Sequence, residues 1–282
     1  MIKLACKELY RIKEVLRIFT MGRKTALITG ASAGIGRELA YLHAERGGDL
    51  VITARRKERL EQLKAELEEK YHVNVMVIAK DLSEPDAPAE IYSEIKSAGV
   101  SIDYLINNAG FGGLGRFAHR DIEDEASMIK VNVIALTKLT RLFLPDFIQR
   151  GSGRILNVSS IASLVPGPIQ AVYYATKAYV TSLSNALAEE LKGTGVTVTA
   201  LLPGPTETEF GEVSGMKNTL AFVKKASAGT VAEDGYNGML KGRLNVVSVP
   251  SISQKLMTIF IPFIPKRIIL RQVHRLQESK IR

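Results

Sequence analysis

Thr25-Ala26-Leu27-Ile28-Thr29-Gly30-Ala31-Ser32-Ala33-Gly34-Ile35-Gly36 decides how the rest of the chain is read. Ala26, Leu27 and Ile28 are apolar at every position, the pattern of a short strand covered on both faces. A glycine-rich turn follows, and then a helical pattern that runs to about Gly47. Glycine admits a tight turn and lets backbone N–H groups at a helix N-terminus approach a pyrophosphate. The spacing is Gly-x-x-x-Gly-x-Gly rather than the commoner dinucleotide pattern, so the turn alone leaves a phosphate cradle and a packing turn both open.

Downstream the alternation repeats. A second strand (Leu50, Val51, Ile52) leads to a charged helix over residues 57–70, and a third strand follows (Val73, Val75, Val77, Ile78). Tyr104-Leu105-Ile106, a long helical region 121–149, the strand Arg154 to Val158 and a helix from Tyr173 to about Lys192 come next. The strand Val196 to Leu202, a short helix near 231–241 and the strand Leu244 to Val249 complete about seven strands. Apolar strands alternating with helices predict an α/β fold, a parallel sheet covered on both faces. With 282 residues, 46% of them apolar, the chain can bury one such domain over 25–250, with appendages at 1–24 and 251–282.

Cys6 is the only cysteine, and His43, His72, His119 and His274 show no metal-ligand spacing, so a reducing compartment and a metal-free site are expected. Of the net charge of +9, residues 1–24 hold seven Lys/Arg against two acids and residues 255–282 seven against one, which leaves −2 for the body. A basic groove for nucleic acid is therefore not expected. Ile2, Ala5, Leu9, Ile12, Leu16 and Phe19 share one face of an amphipathic basic helix, with charges too frequent for a signal peptide. It reads as a docking helix for a membrane surface or partner, or as a solvated or core-packed one, and Met21 is an equally good natural start. At the other end, Leu256 to Pro265 carry no charge, and Lys266, Arg267, Arg271 and Arg275 then interleave with Ile268, Ile269, Leu270, Val273 and Leu276. Ten residues cannot span a bilayer, so an interfacial anchor, a lid over the active site and a dimer arm all stand. The expected location is cytoplasmic, with peripheral membrane contact through the basic ends.

Tyr173 and Lys177 fall four apart at the start of a predicted helix, on one face and one turn from each other. A phenol has an ordinary pKa of about 10, and a fixed cation nearby favours its phenolate. Such a pair suits proton transfer, although the spacing alone also occurs by chance.

Further motifs give that pair a context. Thr29 to Gly36, Asn107-Asn108-Ala109-Gly110 after the fourth strand, Asn132 in Val131-Asn132-Val133, Ser160 in Asn157-Val158-Ser159-Ser160, Tyr173-x-x-x-Lys177 and Pro203-Gly204 occur in a single order. In that order and spacing the chain resembles the short-chain dehydrogenase/reductase family over about residues 25–250. The glycine turn matches the family's Gly-x-x-x-Gly-x-Gly branch, not the epimerase-like or enoyl reductase relatives. The resemblance implies a Rossmann-like, doubly wound, seven-stranded, mostly parallel sheet with helices on both faces. It makes Tyr173 the general acid or base at a reacting oxygen, and Lys177 the group that lowers its pKa and holds the nicotinamide ribose. It makes Ser160 a hydrogen-bond donor to that oxygen and Asn132 a holder of a water joining Lys177 to solvent. Hydride transfer builds negative charge on a carbonyl oxygen, and hydroxyl donors aimed there stabilise it.

The resemblance also implies a cofactor site from Gly30, Ser32, Ala33, Gly34, Ile35 and Gly36, with Asp81 and Leu82 at the adenine. Asn107, Asn108, Ala109 and Gly110 would line the adenosine and ribose side, Thr208 would contact the carboxamide, and Pro203, Gly204 and Thr206 would belong to the same cofactor site. Thr53-Ala54-Arg55-Arg56 ends the second strand with no acid for ribose hydroxyls and two guanidiniums suited to a 2′-phosphate, which favours NADP(H) over NAD(H). Against this, the family's other basic position is Ala33 here, and Arg55 and Arg56 also read as a solvated cluster. Phe111, Leu164, Val165, Pro166 and Ile169, with Met216, Leu220 and Phe222 in a lid segment, suggest an apolar pocket or ordinary loop packing. Steroid, acyl and small aldehyde substrates all fit this reading. The expected function is an NADP(H)-dependent oxidoreductase for a ketone, aldehyde or alcohol, acting as a homo-oligomer, dimer or tetramer. A 3-oxoacyl thioester reductase is the enzymatic alternative. An NADP(H)-sensing regulatory protein is the other class, which would not need the proton-transfer residues. The C-terminal extension is similar to those of bacterial reductases of unassigned substrate.

Overall fold

The computed structural model describes residues 22–278; the expected basic helix over 1–20 and the last four residues lie outside them. The chain opens with β1 (Thr25–Thr29), α1 (Gly34–Glu45), β2 (Asp49–Ala54), α2 (Lys57–Tyr71), β3 (Val75–Ala79), α3 (Ala87–Ser97) and β4 (Tyr104–Asn107). It continues through α4 (Ile122–Ile129), α5 (Leu136–Arg150), β5 (Gly153–Val158), α6 (Ala171–Glu190), β6 (Val196–Pro203) and α7 (Phe210–Val213). The last elements are α8 (Ala228–Leu240), β7 (Asn245–Ser248), α9 (Ile252–Phe260) and α10 (Lys266–Glu278). The sheet order is β3-β2-β1-β4-β5-β6-β7, and every pairing is parallel. The chain winds outward from β1 to β3 and then returns to β4. The crevice at the carboxyl ends of β1 and β4 is the place where such sheets bind ligands.

The strands are apolar throughout because both faces are covered. Ala26 and Ile28 pack with Leu39, Leu60 and Leu67 on one side, while Leu27 between them packs with Ile91, Leu139 and Phe143 on the other. Each such side chain, fully buried, stabilises the fold by about 1.5–3 kcal/mol. His43, on α1, ties three parts of the first layer together. Its Nε2 faces the carbonyl oxygens of Lys24 (3.0 Å) and Asp49 (3.1 Å), so it carries the proton, and its Nδ1 accepts from the Tyr236 hydroxyl at 2.6 Å. Burial lowers this imidazole to about 4.

The structure corrects several expectations. β3 starts at Val75 rather than Val73, because α2 ends on His72 in the left-handed region (φ 55°). The helix α3 was not read at all: its short apolar set is interrupted by Pro88, which fits the first turn because it needs no donor there. The helical region 121–149 is two helices joined by a π-helical turn over Lys130–Ala135, which carries Asn132. A two-residue strand pair, Thr206–Glu207 with Ala226–Ser227, brackets the lid segment. The C-terminal extension forms two helices joined through a 3-10 turn, Ile261–Phe263, and α10 restarts after Pro265. Among the described residues no helix is long and apolar enough to cross a membrane.

Candidate active site

β1 ends at Thr29, and its hydroxyl accepts from the backbone N–H groups of Asn108 and Ala109, both at 3.0 Å. The Asn108 amide donates back to Thr29 O at 2.9 Å, so the loops after β1 and β4 are one unit. This explains the glycines. A Cβ on Gly36 would sit 2.4 Å from both Gly30 O and Asn108 Nδ2, and Gly30 itself adopts φ +67°. Gly34 (φ +55°) is covered by Thr208, whose Cγ2 would lie 2.9 Å from an added Cβ. α1 begins after Ala33 without a side-chain cap, so its first-turn N–H groups face the crevice as an anion site.

At the end of β2, Arg55 is largely exposed and lies 3.8 Å from Asp81, which also accepts from Ser83 N and Oγ. Arg56 is engaged: it donates to Ser32 Oγ at 3.1 Å and to Glu209 at 2.9 Å. Arg59 meets the other oxygen of Glu209. The lid segment is thus tied across the crevice by one carboxylate between two guanidiniums, a contact that sequence spacing did not reveal.

The second half of the site is the trio Ser160, Tyr173 and Lys177, after the end of β5 and at the start of α6. Ser160 follows β5, accepts from Ala162 N at 3.0 Å and is half-buried beside Tyr173. Tyr173 and Lys177 are buried, on the first two turns of α6. The Lys177 ammonium donates to Val158 O at 2.8 Å and lies 5.9 Å from the centre of the Tyr173 ring. Burial lowers Lys177 to about 8. Burial also raises Tyr173 above the ordinary phenol range, with the Ser160 hydroxyl pulling weakly the other way. The Tyr173 ring packs against Phe210, 5.4 Å between centroids.

Asn132 does not face the cavity. Its amide bonds both the N–H and the carbonyl of Phe111 and the Thr176 hydroxyl, bracing the 110–111 loop against α6. Its amide oxygen accepts one hydrogen bond, from Phe111 N, and keeps a second lone pair for a further donor. Gly110 lies against it, since a Cβ there would be 2.9 Å from Asn132 Oδ1 and 3.3 Å from Lys177 Nζ. Asn107 is likewise structural, joining β4 to Thr140 and Asn157 in the core.

A cavity of about 900 Å³ connects both halves. Gly30, Ser32, Ala33, Gly34, Ile35, Arg55, Arg56, Asp81, Leu82, Asn108, Ala109 and Gly110 line one part of it. Ser160, Tyr173, Lys177, Pro203, Gly204, Thr206 and Thr208 line the rest, with Phe111, Val165, Met216, Leu220 and Phe222. Gly36, Asn132, Leu164, Pro166 and Ile169 are outside the lining. Ile169 instead takes a left-handed conformation (φ 64°), its carbonyl held by Gly115 N at 2.9 Å. The sequence did not single out Tyr174, Gln170, Phe210, Gln254, Thr258 or Ile261; the last three complete the wall with Val273, from the extension for which a lid was one of three readings. Gln277 on α10 donates to the Tyr174 hydroxyl at 2.7 Å, so the C-terminal helices roof the cavity.

With this geometry in place, comparison with known proteins identifies the class. The short chain dehydrogenase family model matches residues 24–218, and the chain belongs to that family. It is 38% identical over 198 residues to a short chain dehydrogenase of Pseudocercospora fijiensis, covering 70% of this chain and 64% of that protein. That match spans less than two thirds of the relative's own length. It is 32% identical over 258 residues to the human very-long-chain 3-oxoacyl-CoA reductase, covering 84% of this chain and 81% of the relative. A short-chain dehydrogenase from Sphingobium yanoikuyae in complex with NADPH superimposes with a TM-score of 0.75 at 31% identity, covering 92% of this chain and 96% of that one.

Proposed function

We propose that the protein is an NADP(H)-dependent oxidoreductase that interconverts a ketone or aldehyde with its alcohol, on a predominantly apolar substrate. The observation that carries this is the Ser160, Tyr173 and Lys177 group set in the wall of a cavity whose other half is an uncapped, glycine-lined helix N-terminus. The donor set fits the cofactor. Gly30, Ala33, Gly34 and Ile35 would hold the pyrophosphate, with Gly36 letting the turn close behind them, and Ser32, Arg55 and Arg56 the 2′-phosphate. Asp81 and Leu82 would hold the adenine, Asn108, Ala109, Gly110 and Lys177 the riboses, and Pro203, Gly204, Thr206 and Thr208 the carboxamide. When bound, the nicotinamide supplies or accepts the hydride.

The protein's own part is proton placement. Tyr173 keeps its proton at neutral pH because burial raises it, so it is armed to protonate a carbonyl oxygen. Ser160 is placed to donate to the same oxygen as charge develops. Lys177, at about 8, is mostly cationic at pH 7 and stabilises the phenolate left behind. Asn132 braces the Phe111 loop against α6, and the remaining lone pair of its amide oxygen would help hold a water that joins Lys177 to solvent.

A 3-oxoacyl thioester is the second reading, favoured by the likeness to the human reductase and by a cavity of about 900 Å³ that extends from the glycine turn to α10. A purely regulatory NADP(H) sensor would leave the proton-transfer groups without use. We also propose residues 25–250 as the catalytic domain with residues 251–282 as its roof, a homo-oligomeric assembly, and a cytoplasmic location with peripheral membrane contact. Steady-state consumption of NADPH and NADH across small ketones, steroid ketones and 3-oxoacyl-CoA esters of rising length tests the reading. NADPH-dependent turnover with kcat/KM rising with apolar length is expected. A flat or falling series refutes the apolar site, and NADPH binding without turnover of any carbonyl would favour the sensor.

A further inference from the structure

α9 and the turn after it are two-sided. Gln254, Thr258 and Ile261 recur at spacings of four and three and line the cavity. Leu256, Ile259, Phe260 and Phe263, also at helical spacing, face outward and are 51%, 60%, 58% and 82% exposed. Lys255 adjoins this stripe in sequence, Lys266 and Arg267 follow Phe263 within four residues, and Arg271 and Arg275 continue along α10; all five are exposed. Among the described residues none of the five is in an ion pair. The one acid of α10, Glu278, is already shared by Arg116 and His274. Four large apolar side chains on one exposed helix face, in a segment whose five exposed cations have no ion pair among the described residues, fit a covering partner that is both apolar and anionic.

We propose that α9 and α10 dock on an anionic lipid surface, with the Leu256-Ile259-Phe260-Phe263 stripe in the acyl boundary and the five cations at the headgroups. A second copy of the chain is the weaker occupant, because a symmetric contact would bring the same unpaired cations against each other. The inner faces of these same helices form the cavity roof, so docking places the roof between the Tyr173 site and the bilayer. An apolar carbonyl compound dissolved in the membrane then reaches the site through the α9–α10 side without crossing water. This consequence rests on the function proposed above; the docking itself does not.

The test uses the full-length protein with vesicles of phosphatidylcholine, with and without phosphatidylserine, read by co-sedimentation. Binding is expected with phosphatidylserine and is expected to weaken as salt rises. Phe260→Ser with Phe263→Ser should lower partitioning by at least tenfold. Arg267→Glu with Arg271→Glu should lower it further than removal of the charges alone, at about fivefold per cation lost. In both variants turnover of a short water-soluble ketone should stay at the wild-type rate, while turnover of a long-chain ketone presented in the vesicles falls. Undiminished vesicle binding in both variants overturns the docking surface, as does a wild type that dimerises through this stripe and ignores vesicles. Equal loss on soluble and vesicle-held ketone overturns the delivery route. If no ketone is turned over by the wild type, the catalytic reading fails while co-sedimentation still decides the docking.

Discussion

Replacing Lys177 with Met should make the protein more stable at neutral pH while disabling it. The ammonium is buried, and its pKa falls from 10.5 to about 8 for that reason. At about 1.36 kcal/mol per unit, holding the charge inside the fold costs ~3 kcal/mol below pH 8. Met keeps the apolar stem and removes this cost, but it leaves Val158 O without its 2.8 Å donor, a loss of about 1–2 kcal/mol. The net gain is ~1–2 kcal/mol at pH 7, or about 2–4 °C in Tm for each kcal/mol in a chain of this size. The sign reverses with pH. Between pH 8 and 10.5 the unfolded lysine still binds its proton and the folded one does not, so wild-type stability rises through that window relative to the variant. Urea unfolding of both proteins from pH 7 to 10.5 measures the difference directly, and the other titrating groups cancel. A variant less stable than wild type at pH 7, or a difference that stays flat with pH, would refute the account of Lys177 as a costly charge retained for chemistry.

Three further outcomes follow from named contacts. His43 is held neutral at about 4 against 6.5 unfolded, so its contribution is complete above pH 6.5 and is lost as pH falls from 6.5 to 4, by ~3 kcal/mol. His43→Gln, which can still donate to Lys24 O, should flatten that part of the stability profile, and an unchanged slope counts against the buried neutral imidazole. Fluorescence titration of Arg55→Ala should narrow the gap between NADPH and NADH affinity by about tenfold or more. Glu209→Gln, which releases Arg56 and Arg59, should widen that gap a few fold. Equal affinities for the two cofactors in wild type would remove the 2′-phosphate assignment.

The sheet and the front of the site were legible because local chemistry dictates them. Ala26-Leu27-Ile28 must be covered on both faces, and Gly30, Gly34 and Gly36 stand where a Cβ collides or φ is positive. Tyr173 and Lys177 share a helix face by spacing alone. What stayed hidden depends on long-range placement. Glu209 meets Arg56 from 153 residues away, and no pattern in either segment announces it. The π-helical turn at Asn132 keeps a helical apolar pattern while shifting its hydrogen bonds by one residue. The roof residues Thr258, Ile261 and Val273 read as one face of an amphipathic tail, and only folding puts that face over the cavity rather than in solvent.

The most direct test of the central claim is NADPH consumption with a carbonyl substrate by wild type and Tyr173→Phe, with cofactor affinity measured on both. The Phe ring keeps the packing against Phe210 and removes only the hydroxyl. Turnover in the variant should fall by about 10²–10⁴-fold with NADPH affinity unchanged. Equal activity in the two proteins would contradict proton transfer by Tyr173 and with it the proposed reaction.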